Sequence, residues 1–261
     1  MTKKQIKKQN KKSGIASTVL FIICICVFAF SLYKVLSLLT ESHEDKQNFE
    51  NLVEIIEKEE PGNPEETKQD RFEKLYEMNN DFYGWISIPD TRVNYPFMNT
   101  PNDPEFYLRK NFDKEYSNAG VPFVGEGCTL DSDNLIIYGH NMKNGTMFAD
   151  IMNYDDQKYY EEHKTMYIDS LTESRTYEVI AAFHDKVHTQ DEVVFKYYNY
   201  TGDLTEVAFD EYVDNVKKKS YFKSDLPVEY GDQLVTLSTC SYHVQDGRFV
   251  LVAKEVSRET K

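Results

Sequence analysis

The sequence predicts a mainly β fold, a barrel or a sandwich, behind one apolar N-terminal segment. From Trp85 onward, short runs of β-branched and aromatic residues recur between turn residues, as they do in barrels and sandwiches. A helical period interrupts them once, where Leu204, Val207, Ala208, Tyr212, Val213 and Val216 repeat between Asp203 and Lys219. The 261 residues are 40% hydrophobic and 14% aromatic, enough for one large core with appendages.

Residues 1–14 form a basic tail, with Lys3, Lys4, Lys7, Lys8, Lys11 and Lys12 and no acid. Residues 15–39 are apolar, and only Lys34 interrupts them. About 20 apolar residues span a bilayer, whereas the apolar part of a cleavable signal peptide is about 7–15 residues long. No Ala-x-Ala pattern follows, so the segment reads as an uncleaved anchor, with Cys24 and Cys26 facing lipid or packing. The lysines should keep the N-terminus cytoplasmic and place the body outside.

Residues 40–65 read as a stalk. Phe49, Leu52, Val53, Ile55 and Ile56 make a weak helical stripe in it, and Pro61-Gly62-Asn63-Pro64 breaks it. The folded domain is expected over residues 66–261. It opens with a helix from about Glu66 to Asn79, its apolar set being Phe72, Leu75, Tyr76 and Met78. Strands are expected at 85–88, 93–98, 121–124, 134–140, 166–168, 176–183, 232–240 and 248–253.

The net charge is −14, and every Asp and Glu lies after residue 40, while seven of the 30 Lys and Arg precede it. The body is therefore more acidic than the net charge states. That argues against nucleic acid, which needs a basic face.

Outside the apolar segment there are two cysteines. Cys240 ends the run Asp232-Gln233-Leu234-Val235-Thr236-Leu237-Ser238-Thr239-Cys240, an alternating strand. Arg248 opens the apolar run Phe249-Val250-Leu251-Val252-Ala253. If these strands are neighbours, the guanidinium lies beside the thiol. A thiol reacts as thiolate and needs a base or a cation nearby. Cys128 lies in the loop Gly125-Glu126-Gly127-Cys128 with no nearby cation and reads as an inert thiol; a Cys128–Cys240 disulfide is the alternative an oxidising exterior allows.

His140 ends an apolar strand, and His243 is close to Cys240 in sequence. Spacing alone leaves both open as the base. His184 and His188 are four apart, but on a predicted strand and turn that spacing shares no face, so no metal site is expected. No phosphate loop, serine elbow or zinc pattern is present.

Taken in order, several segments resemble the sortases, and among them class B. They are Thr236-Leu237-Ser238-Thr239-Cys240, Arg248 on the next strand, and Ile137-Tyr138-Gly139-His140-Asn141-Met142 upstream. Asn80 to Pro89, Met147-Phe148-Ala149 and the helix 203–219 inserted before the cysteine strand also match. The resemblance covers roughly residues 66–256. It implies a closed β-barrel of about eight strands with N-terminal helices. It makes Cys240 the nucleophile, His140 rather than His243 the acid and base, and Arg248 the donor to the oxyanion or substrate backbone. Leu108, Tyr138, Ser238 and Thr239 match positions near the bound signal. The family's early Asp-Asn-x-x-Tyr-Leu is here Asp103-Pro104-Glu105-Phe106-Tyr107-Leu108. Pro104 has no amide to offer, so that contact is lost or passes to Asn102.

The activity implied is that of a membrane-anchored cysteine transpeptidase. It would cleave a secreted protein's C-terminal sorting signal, of the Asn-Pro-x-Thr-Asn/Gly kind, after Thr. The acyl group would pass to a cell-wall or pilin amine, with no cofactor and no metal. The rival readings are an anchored β-domain that binds a partner without catalysis, and a cysteine hydrolase that releases peptide to water.

Overall fold

The computed structural model describes residues 3–57 and 67–260. The expected break at Pro61-Gly62-Asn63-Pro64 lies outside them. By its own contacts the chain divides into residues 1–46 and 47–261. The first unit is helical, the leading part of helix α1 (Lys3–Glu57). From Val19 on, the helix is long and apolar enough to cross a membrane, and this apolar stretch is not buried.

The second unit is a closed eight-stranded barrel. Its strands are β1 (Phe82–Ser87), β2 (Asn94–Met98), β3 (Phe123–Val124), β4 (Asn134–Tyr138), β5 (Thr165–Asp169), β6 (Glu173–Lys186), β7 (Leu234–Cys240) and β8 (Gly247–Thr260). Around the barrel they run β1-β2-β3-β4-β7-β8-β6-β5. The β2–β3 and β4–β7 pairs are parallel and the others antiparallel. Closure leaves no free edge in the sheet. Each expected strand is present, with β6 extending three residues beyond expectation at both ends.

Thr67 caps helix α2 (Lys68–Met78) in a reciprocal capping box with Asp70, and α2 buries Phe72 and Leu75. Phe49, Leu52 and Ile56 are also buried in the main core, and the Phe49 ring meets Tyr95 edge-on at 5.2 Å. The compact unit therefore starts inside the segment read as a stalk. The stripe 49, 52, 56 is one helical face, and it packs on the barrel.

Between β6 and β7 lies the predicted inserted helix, here α4 (Glu206–Lys219), capped by Thr205. (α3 is the short helix Gln157–Glu162.) Phe209, Tyr212, Val213 and Val216 of α4 form a second core with Ile180, Phe183, Leu234, Val250 and Val252. This explains why β7 is buried on both faces. Val235 and Leu237 enter the main core, while Leu234 enters the core under α4. The outward hydroxyls are matched there: Thr236 to Tyr212, and Ser238 to Tyr197 at 2.7 Å. Burying these hydroxyls without partners would cost free energy.

Candidate active site

Strands β7 and β8 form a hairpin whose register sets Cys240 directly opposite Arg248. Opposed residues on neighbouring antiparallel strands lie about 4.5–5.5 Å apart at Cα and point to the same face. The loop between them closes tightly at Gly247, where a Cβ would come within 2.3 Å of the Ser241 carbonyl oxygen. A larger residue there would open the loop and slide Arg248 away from the thiol.

The parallel neighbour β4 delivers His140. Gly139 donates its N–H to the Ser238 carbonyl at 3.1 Å, continuing the β4–β7 ladder. A Cβ at Gly139 would sit 2.6 Å from the Phe148 ring, so a side chain there would push that ring aside. Asn141 Nδ2 donates to the Cys240 carbonyl at 3.1 Å, fixing the histidine segment to the cysteine segment. His140 Nε2 lies 2.9 Å from the Leu108 carbonyl. A carbonyl only accepts, so Nε2 carries the proton and Nδ1 is the basic nitrogen. Burial pushes the His140 imidazole below its ordinary 6.5; the Leu108 hydrogen bond opposes this and the Arg109 charge adds to it.

Arg248 Nη1 donates to the carbonyls of Asp246 at 3.3 Å and Gly247 at 3.0 Å. Among the described residues no carboxylate pairs with it, which leaves the guanidinium free for a ligand.

These groups open into one cleft of about 770 Å³. All seven residues singled out from sequence line it: Cys240, His140, Arg248, Leu108, Tyr138, Ser238 and Thr239. Burial pushes the Tyr138 phenol up to about 12, so it stays a neutral donor. The Thr239 hydroxyl is buried with no hydrogen-bond partner among the described residues. Pro104 lines the cleft, whereas Asn102 is exposed and does not.

The rival residues lie elsewhere. His243 is exposed, accepts or donates at Ser241 Oγ over 2.9 Å and packs on the His184 ring at 4.3 Å. Cys128 is buried and free, and burial raises its thiol. Cys240 is also free, so the two cysteines form no disulfide. Among the described residues no group of three His, Cys, Asp or Glu is arranged to hold a metal.

Sequence reasoning missed one wall of the cleft. Val187, Tyr197, Tyr198 and Thr201, all from the β6–α4 connection, line it. The signal was the aromatic run Phe195-Lys196-Tyr197-Tyr198-Asn199-Tyr200, too dense for an ordinary solvated loop.

Comparison with known proteins agrees with this geometry. A family model described as Sortase domain matches residues 86–256. Sortase B of Listeria monocytogenes is 29% identical over 245 residues, covering 92% of this chain and 96% of its own. Sortase B of Staphylococcus aureus is 29% identical over 240 residues, covering 90% and 93%. Among solved structures, a Staphylococcus aureus sortase B–substrate complex superposes with a TM-score of 0.72 at 29% identity, covering 84% of this chain and 99% of the other.

A closed barrel of this topology, matched over more than half the chain, defines a cysteine transpeptidase: the chain belongs to the sortase family. Its likeness to the sortase B proteins along most of their length places it in class B.

Proposed function

We propose that the protein is an anchored transpeptidase that cleaves a C-terminal sorting signal of the Asn-Pro-x-Thr-Asn/Gly kind after Thr. The observation that carries this is the convergence of Cys240, Arg248 and His140 from three separate segments on one cleft. In this reading His140 Nδ1 takes the thiol proton as Cys240 Sγ attacks the Thr carbonyl carbon. The oxyanion receives N–H donors from Arg248, a planar and permanently charged group. The tetrahedral adduct collapses to a thioester. The C–N bond breaks, and the leaving amine takes the proton held by His140. An incoming amine of the cell wall or a pilin then attacks the thioester and gives its proton to His140. The departing Cys240 sulfur regains it.

Leu108, Tyr138, Ser238 and Thr239 hold the signal. The buried Thr239 hydroxyl, without a hydrogen-bond partner among the described residues, supports a polar contact with the substrate. Pro104 lines the cleft but supplies no side-chain amide, so any contact that relatives make through Asn at that place is lost here.

The apolar helix anchors the protein in the cell membrane. The lysine tail lies in the cytoplasm and the catalytic body outside. That body includes residues 47–57, whose buried side chains belong to its core. The test has two parts. Purified enzyme should join a signal peptide to an added amine, with product formation dependent on that amine; release to water alone would make it a hydrolase, and no cleavage would refute the proposal. Protease added to intact, wall-stripped cells should digest the body; full protection would overturn the orientation.

A further inference from the structure

The missed wall of the cleft is held by a cluster outside the catalytic residues. His188 stands between two carboxylates. Its Nε2 lies 3.0 Å from Asp185 Oδ1 and its Nδ1 2.6 Å from Glu192 Oε2. Both ring nitrogens are thus engaged by carboxylates, which fixes the ring's position and plane. The His188 and Asp185 side chains are 11% and 3% exposed, so the pair is shielded from water. Lys219 of α4 reaches Asp185 at 3.4 Å and Lys186 reaches Glu192 at 3.6 Å. Asp185 stands opposite Arg248 in the β6–β8 register, yet its carboxylate is engaged by His188, Lys219 and the Lys186 N–H at 2.9 Å. The anchor therefore shares a strand position with Arg248 without consuming its guanidinium.

From His188 a chain of contacts leads to the nucleophile's strand. The Tyr198 hydroxyl accepts from the His188 backbone N–H at 2.9 Å and donates to the His188 backbone carbonyl at 3.3 Å, so the clamped side chain bears on Tyr198 by fixing its own backbone. The Tyr198 ring packs edge-on against Tyr197 at 5.2 Å. The Tyr197 hydroxyl meets Ser238 Oγ at 2.7 Å, two residues before Cys240. Both tyrosines line the cleft. Lys196 closes the loop on itself by donating to the Thr189 carbonyl at 2.7 Å.

We infer that His188, clamped between Asp185 and Glu192, is a positioning residue that sets the Tyr197–Tyr198 wall for the donor peptide. This rests on the reading of the cleft as the signal-binding site. His188 acts through Tyr198 and touches none of the reacting atoms. Its loss should weaken donor binding and leave the chemistry at Cys240 intact.

The test uses the full chain, a signal peptide and an amine. His188→Ala should raise the KM for the donor peptide about tenfold, the scale of one hydrogen bond to a charged group. kcat and the rate of iodoacetamide alkylation of Cys240 should stay within twofold. Glu192→Ala, at a more exposed position, should raise KM in the same direction, and adding it to His188→Ala should do no further harm. His188→Arg offers several N–H donors to the two carboxylates and should recover most of the lost affinity. An unchanged KM in both alanine variants would overturn the inference, as would a fall in kcat with KM unchanged. If His188→Ala does not fold, Glu192→Ala decides. Wild-type enzyme that cleaves no signal peptide would instead refute the proposed function, and the clamp's role with it.

Discussion

In the proposed mechanism, Arg248→Lys separates charge from geometry at the oxyanion. Arg248 is half-buried, lines the cleft, stands across the hairpin from Cys240 and spends one nitrogen on its own loop carbonyls. The other N–H groups of its fork are available to a substrate. Lysine keeps the charge but replaces the planar fork with a flexible point charge. The Gly247 and Asp246 carbonyls would compete for its ammonium. Removing one directed oxyanion donor typically costs about 10²–10³ in rate, or about 2.7–4 kcal/mol. The substitution should therefore lower kcat/KM for signal-peptide cleavage at least 100-fold, mostly through kcat, because the interaction strengthens as the oxyanion forms. The assay is chromatographic product formation with the amine in excess. Iodoacetamide labelling of Cys240 in parallel reports whether the thiol is still presented. Near-wild-type activity in Arg248→Lys would refute the directed-donor role and leave only a charge effect.

Other consequences follow from the same geometry. With the His140 imidazole held below 6.5, its neutral, proton-accepting form persists as the solution is acidified. The acid limb of kcat/KM should thus lie below pH 6.5, activity being lost as pH falls through the lowered value; a limb at or above 6.5 would contradict this. His140→Ala should be nearly inactive and His243→Ala mildly affected, as read by initial rates, and the reverse pattern would place the base on the wrong histidine. Leu52→Ala removes a side chain only 5% exposed in the main core. It should cost about 2 kcal/mol, or about 4–8 °C in Tm for a body of this size; an unchanged melting curve would detach residues 47–57 from the domain.

Much of this architecture was legible because local patterns agreed with the fold. The alternation in 234–240 and the arrival of Gly247 seven residues after Cys240 were enough to suggest the hairpin that pairs Cys240 with Arg248. The apolar period at 204–216 marked the helix over β7. The stripe at Phe49, Leu52 and Ile56 was equally visible. Its partner surface was not, since a stripe says that a face is buried and not against what. The choice between His140 and His243 also lay beyond spacing. It depends on the parallel β4–β7 pairing, which brings together residues about 100 apart in sequence. The tyrosine wall escaped because its hydroxyls are satisfied by Ser238 and the His188 backbone, contacts with no local sequence signature.

The central claim is that Cys240 carries the acyl group. Intact-mass spectrometry of enzyme quenched in acid during turnover with a signal peptide, and without amine, tests it most directly. The expected result is a single adduct of the mass of the peptide acylated through its Thr, mapped by proteolysis to Cys240, discharged by added amine and absent in Cys240→Ala. Cys128→Ala should form it normally. An adduct mapped to Cys128 or to any other residue, or full turnover by Cys240→Ala, would contradict the account.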